Sequence, residues 1–137
     1  MIKIIKASSK DNFTREWNAI NIPHYGKEIR WTEKPFSFKA VENGKMIGKI
    51  EGKYESGVIN IATIMITSNA RGRGVGTMLI NKAEEYGKKQ GAHRTWLVTG
   101  KHWTENLFYK KLGFDLIATI PDFYFHTDFV IYTRLIK

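Results

Sequence analysis

Three glycines at alternate positions sit among two arginines in the run Arg71-Gly72-Arg73-Gly74-Val75-Gly76. Glycine lets a chain turn tightly and present its N–H groups with no Cβ in the way. The apolar residues that follow, Val75, Met78, Leu79, Ala83 and Tyr86, recur with a helical period. A helix beginning there adds free N–H groups and the positive end of its dipole at the same place. The chemistry this favours is the holding of an anion such as a phosphate or diphosphate. Arg71 and Arg73 add charge beside it. Two other phosphate loops do not fit. No lysine follows Gly76, as Gly-x4-Gly-Lys-Ser/Thr requires. The spacing is Gly-x-Gly-x-Gly, not the Gly-x-Gly-x-x-Gly of dinucleotide-binding folds, and a hairpin lies upstream.

Other reactive groups are fewer. The chain has no cysteine, which excludes disulfides, thiolate zinc sites and an acyl-cysteine intermediate. His24, His93, His102 and His126 are scattered without metal-ligand spacing, so no metal is expected. No serine lies in a Gly-x-Ser-x-Gly elbow. Tyr109 is the phenol of interest, in Asn106-Leu107-Phe108-Tyr109-Lys110-Lys111-Leu112-Gly113-Phe114, and Asn106 shares its helix face one turn earlier.

The elements that must position these groups follow from pattern. Ile2, Ile4 and Ile5 read as a first strand, with Ser8, Ser9 and Asp11 as N-cap candidates behind it. Phe13, Trp17 and Ile20 form the stripe of a helix that Pro23 and Gly26 break, and a short second helix is expected after it. Asn43-Gly44 between β-like runs is a type I′ hairpin signal, and Glu55-Ser56-Gly57 a second turn. Val58 to Thr67 is β-branched and long enough for a central strand. Gly91 ends the helix after the glycine run, on which Glu84 with Lys88 and Glu85 with Lys89 are i,i+4 pairs. Thr95 to Thr99 is a strand, and Thr104 caps a short helix stopped by Gly113. Phe114 to Ile120 and Phe129 to Leu135 are the last strands. The sum is a mixed α/β chain of the α+β kind: one twisted central sheet of about six to seven strands flanked by about four helices.

With 137 residues, the chain is expected to form a single domain over 1–137. Hydrophobic residues make up 42% of it, enough for a core, which excludes whole-chain disorder. The longest apolar stretch, Ile59 to Ile66, is interrupted by Asn60 and Thr63 and falls well short of the ~18 residues of a membrane span. Met1 to Ala7 is too short and broken for a signal-peptide core, so a cytoplasmic protein with no membrane partner is expected. The net charge of +9 admits polyanionic partners, or simple solubility. No helix forms a continuous basic stripe, which disfavours nucleic acid.

Together these segments resemble the GNAT superfamily of acetyl-CoA-dependent N-acetyltransferases. Arg71, Gly74 and Gly76 match the family's acyl-CoA motif, Gln/Arg-x-x-Gly-x-Gly/Ala, and Tyr109 to Phe114 is similar to its Tyr-x-Lys-x-Gly-Phe signature. The match is tight from about Ile61 to Phe114, and the order of elements agrees over nearly the whole chain. The resemblance implies acetyl-CoA as cofactor. It places the diphosphate on the backbone of Arg71, Gly72, Arg73, Gly74, Val75, Gly76 and Thr77. Ile64, Met65 and Ile66 would pair with the pantetheine arm and polarise the acetyl carbonyl, and Asn106 is a weaker contact. Tyr109 becomes the general acid for the departing thiolate. Thr67-Ser68 stands where many members carry Asp-Pro, and His102 near where many carry Asn.

A base is harder to assign, because Val58 to Ile66 carries no carboxylate or histidine. Glu51, acting through water, is one candidate; Asp122, His126 and Asp128 are others; a neutral amine taken from solution needs none. Trp17, Trp31, Tyr124 and His126 are expected near the acceptor, a primary amine on a small molecule or a protein. The reaction implied is direct attack in a ternary complex. Two alternatives stay open: a basic nucleic-acid-binding module, and a catalytically inactive acyl-CoA-binding relative. A homodimer is one arrangement the reading allows.

Overall fold

Turn chemistry shapes the sheet. In the computed structural model, which describes residues 1–137, Asn43 and Gly44 both adopt positive φ, 50° and 75°. This is the left-handed pair a two-residue type I′ hairpin needs. It joins β1 (Glu33–Glu42) to β2 (Lys45–Glu55). Ser56 and Gly57, also left-handed, turn β2 into β3 (Val58–Ile66). A short 3-10 turn leads to α2 (Val75–Gln90), which ends at Gly91, φ 104°, whose N–H reaches back to Lys88 O. There follow β4 (Arg94–Gly100), α3 (Glu105–Lys111), β5 (Asp115–Ile120), a 3-10 turn at Tyr124–His126 and β6 (Phe129–Leu135). The sheet order is β1-β2-β3-β4-β6-β5, and only β3 and β4 run parallel.

The chain divides into two compact units, Met1–Trp31 and Thr32–Lys137. In the second, α2 and α3 cover one face of the sheet. Ile50, Ile59, Ile80, Leu97, Val130 and Tyr132 are fully buried there; each large apolar side chain of this kind stabilises the fold by about 1.5–3 kcal/mol. Glu84, expected to pair with Lys88, instead follows Ile80 on the buried side of α2 and turns inward. It accepts Thr95 Oγ1–H at 2.7 Å and Arg134 Nη2–H at 2.6 Å, and Arg134 Nη1 donates to Leu112 O at 2.6 Å. One buried ion pair therefore ties α2, β4, β6 and the end of α3 together. The expected Glu85–Lys89 pair forms on the solvent side at 3.6 Å.

The first unit holds α1 (Thr14–Tyr25) and corrects several expectations. Ile2, Ile4 and Ile5 form no strand; they are exposed and unpaired, since nothing within residues 1–31 offers a strand to receive their N–H and C=O groups. The short second helix is also absent. Helix α1 runs through Pro23 to Tyr25 and stops at Gly26, φ 74°, and the chain after it is irregular as far as β1. Phe13, not Ser8, Ser9 or Asp11, holds the N-cap position. The totals are thus six strands and three α-helices. No helix is long and apolar enough to cross a membrane.

Candidate active site

The site begins with a defect in β-pairing. Gly52 faces Ile61 and Glu51 faces Thr63, so Ala62 is an extra residue, a β-bulge that bends β3. A Cβ at Gly52 would lie 1.9 Å from Asn60 O, so only glycine fits at the bulge. Parallel pairing of β3 with β4 covers only Val58–Asn60 against Arg94–Trp96. Beyond the bulge the two strands separate, leaving the β4-facing backbone edge of Ile64–Ile66 without a strand partner. An extended ligand can take that edge by strand-like hydrogen bonding.

A cleft of about 590 Å³ lies at this opening on the helical face. One wall is Ile64, Met65 and Ile66. Another is the turn Arg71–Thr77, and the third is α3 with Thr104, Glu105, Phe108 and Tyr109. The turn presents backbone only. Gly72 and Gly74 adopt φ of 74° and 81°, with no atom within 4 Å of where a Cβ would stand. No acceptor within the protein meets the N–H groups of Arg71 through Thr77; the first to find one is Met78, on Gly74 O. A row of free donors at the start of a 16-residue helix suits a phosphate. The residues present thus fit a diphosphate with an extended, amide-bearing arm. The sequence reading missed Glu105 and Phe108. Glu105 precedes Tyr109 by four residues, so helical spacing alone puts both on one face. Phe108 backs Gly76 so closely that a Cβ there would stand 3.0 Å from its ring.

Tyr109 is buried between Phe108, Phe114 and Tyr132, with ring centroids 5.3–5.8 Å away. Its hydroxyl makes no hydrogen bond within the protein. Burial, and after it the Glu105 carboxylate, pushes the phenol up to about 12. It therefore stays protonated across the physiological range and can donate a proton or hydrogen bond into the cleft.

A family pattern described as acetyltransferase (GNAT) matches residues 3–114. The chain belongs to the GNAT acetyltransferase family. An uncharacterised N-acetyltransferase of Methanocaldococcus jannaschii is 34% identical over 113 residues, covering 67% of this chain and 49% of the relative; the chain thus spans about half of that protein's length. Among solved structures, an acetyltransferase from Bacillus cereus superposes with a TM-score of 0.69 at 18% identity, over 97% of both chains. An aminoglycoside 6′-N-acetyltransferase solved with coenzyme A superposes at 0.68 and 17% identity, over 75% of this chain and 73% of that one. At these identities the structural likeness speaks for the GNAT fold alone.

Several residues expected at the site do not line this cleft. The Arg73 guanidinium turns from the cleft to Glu42 at the β1–β2 hairpin, 3.2 Å from Nη1 to Oε1, and lowers that carboxyl's pKa. Asn106 is not free to hold a cofactor. Its Nδ2 donates to Trp103 O at 2.7 Å and Gly100 O at 2.9 Å, while its Oδ1 accepts Tyr132 Oη–H at 2.7 Å. It pins the start of α3 to the end of β4. Glu51 lies on the sheet face opposite α2 and α3, alongside Thr63 across the strand pair, and pairs with Lys49. Tyr124 and His126 sit in the β5–β6 connection, where His126 Nδ1 is 2.8 Å from Asp122 Oδ1. Trp17 and Trp31 share a cleft of their own in the first unit. No group of His, Cys, Asp or Glu is arranged for a metal.

Proposed function

We propose that residues 1–137 form one N-acetyltransferase domain that moves an acetyl group from acetyl-CoA to a primary amine by direct attack. The observation that carries this is the opening of β3 from β4. It puts unpaired backbone at Ile64–Ile66, free N–H groups at Arg71–Thr77 and the unbonded Tyr109 hydroxyl around one cleft. The coenzyme A bound by the aminoglycoside acetyltransferase of like fold supports the same cofactor.

When bound, acetyl-CoA supplies an acetyl thioester. The Arg71–Thr77 backbone holds its diphosphate by N–H donation, and Ile64–Ile66 fixes the arm and polarises the carbonyl. A new N–C bond forms as the C–S bond breaks. Tyr109 gives the departing sulfur a hydrogen bond or proton. With the phenol near 12 and a thiol near 8.5, stabilisation by hydrogen bonding outweighs full transfer. The amine proton leaves through water toward Glu51, across from Thr63 of β3, or is already lost in solution.

The acceptor is a small-molecule or protein amine, and the protein is read as cytoplasmic. A homodimer is proposed at the β5 edge. The other free edge, β1, carries Lys34, Pro35 and Lys39, residues that discourage strand pairing, whereas β5 exposes Leu116 and Ile117 with only Asp115 charged. Thiol release from acetyl-CoA across a panel of amines, with thermal stabilisation by acetyl-CoA alongside, tests the function. Stabilisation without turnover would make the chain an inactive acyl-CoA binder. Stabilisation only by an oligonucleotide, lost at higher salt, would replace the reading with nucleic-acid binding.

A further inference from the structure

The face of the sheet opposite α2 and α3 has its own construction at the β3–β4 opening. Gly100 ends β4 and pairs with Phe129. The Trp103 ring lies over Gly100, so close that a Cβ there would stand 2.2 Å from it, and meets Phe129 edge-on at 5.3 Å. Phe129 also meets Phe123 at 5.7 Å and Tyr124 at 5.3 Å, and those two rings lie 4.2 Å apart. Counting from the last parallel pair, Asn60 with Trp96, Gly100 stands four residues along β4 and Ile64 four residues along β3. This aromatic group and the Ile64–Ile66 edge therefore occupy the same end of the sheet, on the two sides of the opening.

The group is half open to solvent: Trp103 is 49% exposed and Tyr124 55%. The backbone between Pro121 and Asp128 is shaped to present it. Asp122, Phe125 and His126 all adopt positive φ, a costly conformation outside glycine. It is held by Asp122 N–H on Asp128 Oδ1 at 2.9 Å, Phe123 N–H on Thr127 O at 2.9 Å and the His126–Asp122 contact. Open aromatic faces attract cations. Although 22 side chains are Lys or Arg, those stacked on rings are Lys82 on Phe38 and Arg134 on Phe114; none covers Trp103, Phe123 or Tyr124. The turn carries Asp122 and Asp128 and no lysine or arginine, so it is acidic within a basic chain. Lys101, whose N–H bonds Asp128 O, adjoins it.

We infer that Trp103 and the Pro121–Asp128 turn form a shelf for an ammonium group other than the one acetylated, so that the preferred acceptors are diamines or polyamines. This rests on the acetyltransferase reading. The reacting nitrogen must be neutral to attack, and an amine with pKa near 10.4 is otherwise charged. Ring faces and carboxylates favour the charged form. One nitrogen cannot satisfy both demands; two nitrogens on a flexible chain can.

Two experiments separate the shelf from the reaction. The first is binding to the full chain with coenzyme A present, followed by NMR of the tryptophan indole signals. The probes are choline and its uncharged carbon isostere, 3,3-dimethyl-1-butanol. Choline should bind about 2- to 30-fold more tightly. Trp103→Leu and, separately, Tyr124→Leu should remove the difference, while Trp103→Phe keeps most of it and none of the three alters coenzyme A affinity. Equal binding of the two probes, or an unchanged difference in both leucine variants, overturns the shelf. The second is kcat/KM for 1,4-diaminobutane against butylamine. The diamine should lead by a similar factor, and Tyr124→Leu should abolish the lead by raising the diamine KM and sparing butylamine. Turnover without a lead for the diamine defeats the shelf and leaves the transferase standing. Choline selectivity with no turnover of any amine does the reverse.

Discussion

The two sides of the β3–β4 opening are built from different materials. On the helical side the cleft is largely backbone: free N–H groups at Arg71–Thr77, an unpaired strand edge at Ile64–Ile66 and glycines where side chains would intrude. On the opposite side the surface is nearly all side chain, with Trp103, Phe123, Tyr124 and Phe129 in edge-to-face and tilted contacts. A backbone site recognises what every cofactor molecule has in common. A side-chain site can be rewritten residue by residue without disturbing the fold. On the proposed reading, the contrast would leave the donor's place to chain geometry and the acceptor's to a few aromatic side chains.

The largest effect expected concerns Tyr109, the one side chain on the helical side proposed to do chemistry. Tyr109→Phe should lower kcat by about 10²–10⁴ with little change in acetyl-CoA affinity, measured by single-turnover kinetics and calorimetry. The same residue has a stability signature. Its phenol sits near 12 when folded and near 10 when unfolded, so the unfolded state loses its proton first as pH rises. Stability present below pH 10 should fall between pH 10 and 12, by about 2–3 kcal/mol in total. Alkaline denaturation of Tyr109→Phe should be correspondingly shallower. Coincident curves for both proteins would show that Tyr109 is not shielded as described.

Next is the ion pair beneath α2, on the helical face at the end of β4 still paired with β3. Glu84→Ala strands the Arg134 guanidinium, which also holds Leu112 O at the end of α3. Breaking such a pair costs about 3–5 kcal/mol, readable by urea denaturation. Because Leu112 follows the helix that carries Tyr109, kcat should fall further than acetyl-CoA affinity. A stable Glu84→Ala protein with unchanged kcat would mean α3 is held by packing alone.

Gly74→Val tests the backbone character of the cleft directly. No protein atom obstructs a side chain there. The cost is a β-branched residue at φ 81° and a methyl group standing where a phosphate would approach. The strain is present with or without ligand and should lower stability by about 1–3 kcal/mol; losing about one charge-assisted N–H contact to the phosphate, worth about 1.5–3 kcal/mol, corresponds to roughly 10- to 150-fold in acetyl-CoA affinity, by calorimetry. The choline selectivity of the opposite side should persist. Loss of both together would erase the distinction between the two sides.

How much of this was legible follows the same division. The glycines at 72 and 74, the Asn43-Gly44 hairpin and the Gly91 stop each record a backbone conformation only a few residues tolerate, so the loop, β2, β3 and α2 could be read directly. The splay of β3 was less visible, because the bulge at Ala62 arises from register between strands and not from local pattern. Ile2, Ile4 and Ile5 had the alternation of a strand, but alternation does not supply a partner. Asn106 carried the correct helical phase with Tyr109 and still points into its own loop, because a buried amide takes whichever carbonyls lie nearest. Trp103 gave no local signal, since its importance lies in contact with Phe129, distant in the chain.

The smallest effect is expected where the sequence looked most persuasive. Arg73 lies inside the glycine run, yet its guanidinium is engaged by Glu42, whose carboxyl it holds below the ordinary range, and both are open to water. Exposed pairs of this kind are screened by salt. Arg73→Ala removes a charge already matched by a partner on the β1–β2 hairpin and leaves every N–H of the turn in place. Acetyl-CoA affinity should therefore change by less than about threefold, on the scale of weak surface pairs. Arg71→Ala offers the sharper contrast: Arg71 lines the cleft, and its Nε–H reaches only Ile66 O, at 3.4 Å. It should weaken binding more than Arg73→Ala, and more strongly at low salt. If Arg73→Ala proves the more damaging, the Glu42 pair opens when cofactor binds, and the backbone is not the chief holder of the diphosphate.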